Sequence, residues 1–129
     1  MVNFLSLALL TATGGAIGSV CRWLVGLAST RLWNDHLPWG TLIVNIMGSF
    51  IIGFAVELIT HKLDSSPEIR ALVVTGFLGG FTTFSSFSLD NMNLVARGDS
   101  VLAIAYILVS VLVSLVFVFS GFHVARHLS

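Results

Sequence analysis

Four apolar stretches, each near the ~20 residues a helix needs to cross a bilayer, leave this chain little freedom of fold. Charged residues mark their ends. The first covers residues 4–32 with Arg22 as its one interior charge, the second 38–59, the third is uncharged over 71–89, and the fourth covers 100–122. With their flanks they give spans of about 4–32, 38–60, 69–96 and 100–125 in a single transmembrane domain over 1–129. The connections at 33–37 and 97–99 are too short to hold an extramembrane domain. The expected fold class is an all-α membrane protein of four transmembrane helices, with its chemistry inside the membrane.

Composition excludes the soluble classes. Of 129 residues 56% are hydrophobic and 9% charged, with a mean hydropathy of +0.99, far from the balance of a water-soluble domain. Six Lys and Arg stand against six Asp and Glu, with no basic cluster to neutralise a run of phosphates, so nucleic acid is not an expected partner. Cys21 is the single cysteine and reads as a small packing residue, since one thiol builds neither a disulfide nor a thiolate metal site within a chain. His36, His61, His123 and His127 fall at span ends and form no nucleophile and base pair with Cys21 or Asp90, so no enzyme is expected. The N-terminal stretch lacks a basic start and stays apolar past Gly14 and Gly15, which predicts a first span and not a cleaved signal peptide.

Four spans place Lys62, Arg70 and Arg126 on one side of the membrane and Arg31 and Arg97 on the other. Three against two is too weak a bias to fix orientation, so insertion both ways is expected. Four short helices enclose little volume, and polar groups within them need a second copy to shield them from lipid. The expected assembly in the lipid bilayer is therefore an antiparallel, dual-topology homodimer. Gly14 with Gly18, and Ser49 with Gly53, have the small-xxx-small spacing that lets helices approach closely.

The second span carries Thr41, Asn45 and Ser49 at four-residue spacing, along one helical face. Asn45 lies roughly 12 Å in from Leu37 at 1.5 Å per residue, and an amide at that depth needs partners. Interhelical hydrogen bonding and pore lining are both open readings of that stripe. Tyr106, Ser110 and Ser114 repeat the spacing in the fourth span, although a membrane serine often bonds only the carbonyl one turn back. The two tracks offer hydroxyl and amide donors without a carboxylate, which suits an anion better than a cation.

The third span is the least regular. From Thr75 to Ser88 it holds three glycines and six hydroxyl residues, a poor helix former, and a break around 79–83 is expected. Backbone carbonyls exposed at such a break can hold a cation, and a two-fold axis would bring two breaks together. Beyond it, Phe84 and Phe87 share a face, interleaved with Ser85 and Ser86. Ring edges are electropositive and can stabilise a small anion without a full charge that would trap it; packing or lipid contact is the competing reading.

These residues resemble the Fluc family of fluoride channels, also called CrcB proteins. The likeness runs from Gly14-Gly-Ala-Ile-Gly-Ser-Val-Cys-Arg22 through Gly40-Thr-Leu-Ile-Val-Asn-Ile-Met-Gly-Ser-Phe50 to the segment from Gly76 to Ser88. The resemblance implies a dual-topology dimer in the bacterial inner membrane with two fluoride pores, each lined by both subunits. It further implies that Asn45, Phe84, Phe87 and Tyr106 line the pore, that Ser110, Ser114, Thr83, Ser85 and Ser86 form a polar track with Thr41 on the neighbouring stripe, and that Arg22 stands at an aqueous vestibule. The carbonyls of Gly79 and Thr82 would bind a structural sodium ion that is not transported. Asp90 departs from the glutamate more usual in the family.

A passive pore would suffice for export: the inside-negative potential is worth ~2.3 kcal/mol per charge for each 100 mV and drives an anion outward. The alternative is a proton-coupled exporter like the small multidrug resistance proteins. Those need a membrane carboxylate in the first span, which has none; Glu57, near the end of the second span, is expected to snorkel or to pair with Lys62.

Overall fold

The computed structural model describes residues 2–129, and every element in it is helical. Helix α1 is Phe4–Leu32 and α2 is Trp39–Lys62. The third span, Pro67–Ala96, is divided into α3, residues 67–81, and α4, Phe84–Ala96; α5 is Ser100–Leu128. All four spans are long and apolar enough to cross a membrane. At 1.5 Å per residue, the 29 residues of α1 reach about 43 Å, the hydrocarbon core plus both headgroup layers.

The ends lie where local chemistry puts them. Asn3 caps α1 through its side-chain oxygen, which accepts from Leu5 N at 3.2 Å. Ser66 caps α3, its hydroxyl accepting from Ile69 N at 3.3 Å ahead of Pro67 in the first turn. Three spans run further than their apolar stretches, α2 to Lys62, the third back to Pro67 and α5 to Leu128. Polar ends support the extra turns: Lys62 Nζ donates to the Leu128 carbonyl at 2.9 Å and so ties the last turn of α5 to that of α2.

Within α3, residues Arg70–Leu78 form a π-helix, the wider winding that occurs in short pieces near functional sites. Regular winding resumes over Gly79–Phe81 and stops at Thr82 and Thr83, both extended at φ −84°, ψ 156° and φ −154°, ψ 118°. The break thus falls at the C-terminal edge of the expected window. The glycines stay helical because α1 needs them there. A Cβ at Gly80 would collide with the Gly15 carbonyl, and one at Gly76 would lie 2.8 Å from the Thr11 carbonyl.

Two tight seams hold the bundle. Along α1, Gly14 and Gly18 lie against the backbone of α3 at Leu72 and Phe77. Between α2 and α5, Gly53 sits on the Val118 carbonyl and Gly121 on that of Phe50. Of the small residues that the spacing marks out, Gly14, Gly18 and Gly53 therefore pack within one chain, while Ser49 lines a cavity. A third contact is made by side chains: Leu42, Phe87, Leu94, Ala103 and Tyr106 form a buried cluster of α2, α4 and α5. Many large apolar side chains face outward, among them Leu9, Trp23, Val101 and Phe119, a surface suited to lipid or to a further helix.

Candidate functional site

The break in the third span organises everything around it. Thr83 N–H would normally bond the Gly79 carbonyl one turn back; instead it donates to Asn45 Oδ1 at 2.8 Å. Asn45 Nδ2 in turn donates to the Thr83 carbonyl at 3.0 Å. One amide of α2 thus satisfies both backbone groups of Thr83 and keeps a second N–H for another acceptor. The Ser86 N–H, which would bond Thr82, is taken by Thr83 Oγ1 at 3.1 Å, the N-cap of α4. Among the described residues no donor reaches the carbonyls of Gly79 or Thr82. The Phe81 carbonyl likewise receives none, while two others at the break are engaged. Arg22 Nε donates to the Gly80 carbonyl at 3.0 Å, and Thr82 Oγ1 to that of Leu78 at 2.8 Å.

Backbone carbonyls left without donors are the chemistry a small hard cation uses, since oxygen dipoles can replace its hydration shell. Gly79 lies on the exposed side of the chain. No cluster of His, Cys, Asp or Glu able to hold a metal occurs among the described residues, so any cation here would rest on backbone oxygens.

At the break a cavity of about 440 Å3 opens among Asn45, Ser49, Thr83, Phe84, Phe87, Ser110 and Ser114, with aliphatic residues including Ile52 and Val118 also in its lining. None of its lining residues is charged. The Ser110 and Ser114 hydroxyls are buried and have no hydrogen-bond partner. A serine in a membrane helix can bond the carbonyl one turn back, as Ser49 does to Asn45 at 2.6 Å, and these two do not. An unsatisfied buried hydroxyl costs about 1–3 kcal/mol, so two on one wall mark a place that expects an acceptor. The aromatic pair is asymmetric. Phe87 is only 9% exposed and packs 5.4 Å from the Tyr106 ring, whereas Phe84, 5.5 Å from Phe87, is 78% exposed.

The remaining expected residues divide between this cavity and the approaches to it. Arg22, Thr41, Thr83 and Ser86 line a second cavity of about 490 Å3 with Ser19 and Thr30. Thr41 also lines a third, about 290 Å3, at the end of the bundle formed by the 33–38 connection. Tyr106 lines none of the three; its hydroxyl donates to Asp90 Oδ2 at 3.1 Å, and Asp90 lines the third cavity. Ser85 is exposed, its hydroxyl 3.3 Å from that of Thr83. Sequence reading missed two of these pairings, Tyr106 with Asp90 and Arg22 with Gly80. Each joins different helices, and only Asp90, the one carboxylate in the interior of the third span, and Arg22, the single interior charge of the first, gave any signal. Glu57 does not snorkel or pair with Lys62: it is buried, 3.4 Å from His61 Nε2, because its helix face is turned inward and Lys62 is engaged by Leu128.

A chain with four such spans, a broken third helix and an uncharged donor-lined cavity has the form of a membrane ion pathway. The family described as CrcB-like protein, Camphor Resistance (CrcB), matches residues 9–122, and the chain belongs to that family. A fluoride-specific ion channel FluC of Agrobacterium fabrum (strain C58 / ATCC 33970) is 57% identical over 119 residues, covering 92% of this chain and 95% of the relative. Its counterpart in Rhizobium etli (strain ATCC 51251 / DSM 11541 / JCM 21823 / NBRC 15573 / CFN 42) is 53% identical over 121 residues, 94% and 97% of the two chains. That of Francisella philomiragia subsp. philomiragia (strain ATCC 25017 / CCUG 19701 / FSC 153 / O#319-036) is 51% identical over 121 residues, 91% and 92%.

Proposed function

We propose that this protein is a fluoride-specific channel that passively exports fluoride across the bacterial inner membrane. The observation that carries the reading is the pair of buried, unpartnered hydroxyls of Ser110 and Ser114, residues that line an uncharged cavity together with Asn45, Phe84 and Phe87. Hydroxyl and amide hydrogens and aromatic edges replace water around a small anion, and the lack of a fixed positive charge leaves the anion free to move on. Sequence likeness to channels named fluoride-specific, over nearly the full length of both chains, supports the choice of anion. Chloride is larger and more weakly hydrogen-bonded, so a narrow rigid donor site disfavours it. Arg22 and Thr41 would belong to the approach, where positive charge concentrates anions, with Thr83, Ser85, Ser86 and Tyr106 along the polar track.

The working unit in this reading is an antiparallel homodimer with two pores. The free carbonyl of Gly79 on an open face supports it, because an unpaired backbone carbonyl does not suit lipid and a second copy would cover it. The carbonyls of Gly79 and Thr82 would hold a structural sodium ion in the dimer, which would supply charge to offset the oxygen dipoles. The rival proton-coupled exporter lacks support, since Glu57 lines none of the three cavities.

The test is efflux from liposomes containing the purified protein, read with a fluoride electrode, chloride as control, and Phe84→Ile and Asn45→Asp variants in parallel. Rapid chloride-blind efflux, lost in both variants, is expected. Efflux that requires a proton gradient would overturn the channel reading.

A further inference from the structure

Arg97 makes the hydrogen bonds between two parts of the chain that otherwise meet through the packing of Leu37 on the cluster of Leu94 and Phe87. Its Nη1 donates to the Asp35 carbonyl at 3.3 Å and its Nη2 to the His36 carbonyl at 3.0 Å. Among the described residues these are the only hydrogen bonds from the 33–37 connection to any element beyond α1 and α2. The third cavity lies between the two linked parts. Asn34, Asp35 and Leu37 form one wall, Asp90, Asn93 and Leu94 of α4 the other, with Arg97 at the rim and Thr41 inside.

The root of Arg97 is fixed by backbone geometry. It is the C-cap of α4, and Gly98 follows in the left-handed region at φ +86°. Gly98 N donates to Val95 O at 3.0 Å and Asp99 N to Leu94 O at 3.0 Å, the paired bonds of a Schellman ending. That ending turns the chain sharply and holds the Arg97 Cα in one position. The guanidinium then makes a planar two-pronged contact that a lysine ammonium cannot reproduce. Asp99, 3.8 Å away with both side chains about half exposed, adds little.

We propose that Arg97 is a positioning residue that shapes the mouth of the ion pathway by holding the 33–37 connection against α4. The inference rests on the channel reading for its functional part, and the staple itself can be measured without it. Releasing the fork frees the outer wall of the cavity, and an anion approaching Thr41 then meets a disordered mouth. The guanidinium charge is secondary to its shape.

The experiment compares Arg97→Lys and Arg97→Gln with the wild type in two readouts. One is hydrogen exchange at the Trp33 and Trp39 backbone amides, which flank the connection. The other is liposome fluoride efflux at low and high ionic strength. Both variants are expected to speed exchange about tenfold, as loss of one charged hydrogen bond allows, and to slow efflux by about an order of magnitude, as misplacing a positioning group does. The two should be equally slow, with an ionic-strength dependence like that of the wild type. Efflux rescued by lysine but not by glutamine would overturn the proposal, because charge and not the fork would then be what matters. Faster exchange with unchanged efflux would also overturn it. If the wild type passes no fluoride, the channel reading fails, and exchange at normal rates in both variants would still refute the staple.

Discussion

The two halves of the third span are held in opposite ways. Residues 67–81 meet α1 backbone to backbone, with Gly14, Gly18, Gly76 and Gly80 leaving no room for a methyl group. Phe84–Ala96 meets α2 and α5 through side chains: Phe87 in the apolar cluster, Tyr106 on Asp90, and Thr83 ahead of it on Asn45. A glycine seam has no rotamers to adjust, so the first half is an anchor. The second half presents adaptable groups toward the cavities. The chain changes from one manner of packing to the other at Thr82 and Thr83, where the helix breaks.

Gly18→Ala attacks the anchor. Its Cβ would overlap the Phe77 carbonyl and lie 2.9 Å from Phe81 N, neither of which can swing aside. Thermal unfolding in detergent should show a loss of about 3 kcal/mol, the upper range for overpacking; an unchanged melting temperature would mean the seam yields and the contrast is false. Asn45→Ala removes the clamp between the halves. Leaving the Thr83 N–H and carbonyl unpaired should cost about 2 kcal/mol, read in the same assay. Tyr106→Phe removes the α5 hydroxyl that bonds the adaptable half at Asp90 and keeps the ring against Phe87. About 1 kcal/mol is expected, with efflux rates deciding whether Asp90 needs that bond. Gly26→Ala should do the reverse of Gly18→Ala. Beyond its own turn of helix, no atom lies within 4 Å of the added methyl, so relief of glycine's helix penalty should raise stability by up to about 1 kcal/mol. A loss there would show that glycines in α1 matter for reasons other than the seam.

Much of this was legible in the residues. The ends of α1 follow its apolar run, and the spacing of Asn45 with Ser49 and of Ser110 with Ser114 places them on the faces that meet at the cavity. The position of the break was readable only to within a few residues. Local propensity points to the glycines, yet the stopping place is chosen by Asn45, which lies 38 residues away in sequence. The same holds for Tyr106 and Asp90 and for Arg97 with the 33–37 carbonyls, where the partner is fixed by packing and not by period. Phe84 and Phe87, equivalent by spacing, differ in burial because only Phe87 faces α5.

The Asn45 clamp also bears on how the chain is made. In hydrocarbon an unpaired backbone group costs several kcal/mol, so the third span is a poor membrane segment by itself. Synthesis proceeds from the N-terminus, so α2, which ends at Lys62, leaves the ribosome before Thr83 does. The amide that receives the broken backbone is already waiting. A circular permutant that delivered the third span ahead of the second would insert an unclamped break, and its yield of membrane-integrated protein would measure how far gene order itself serves as a folding instruction.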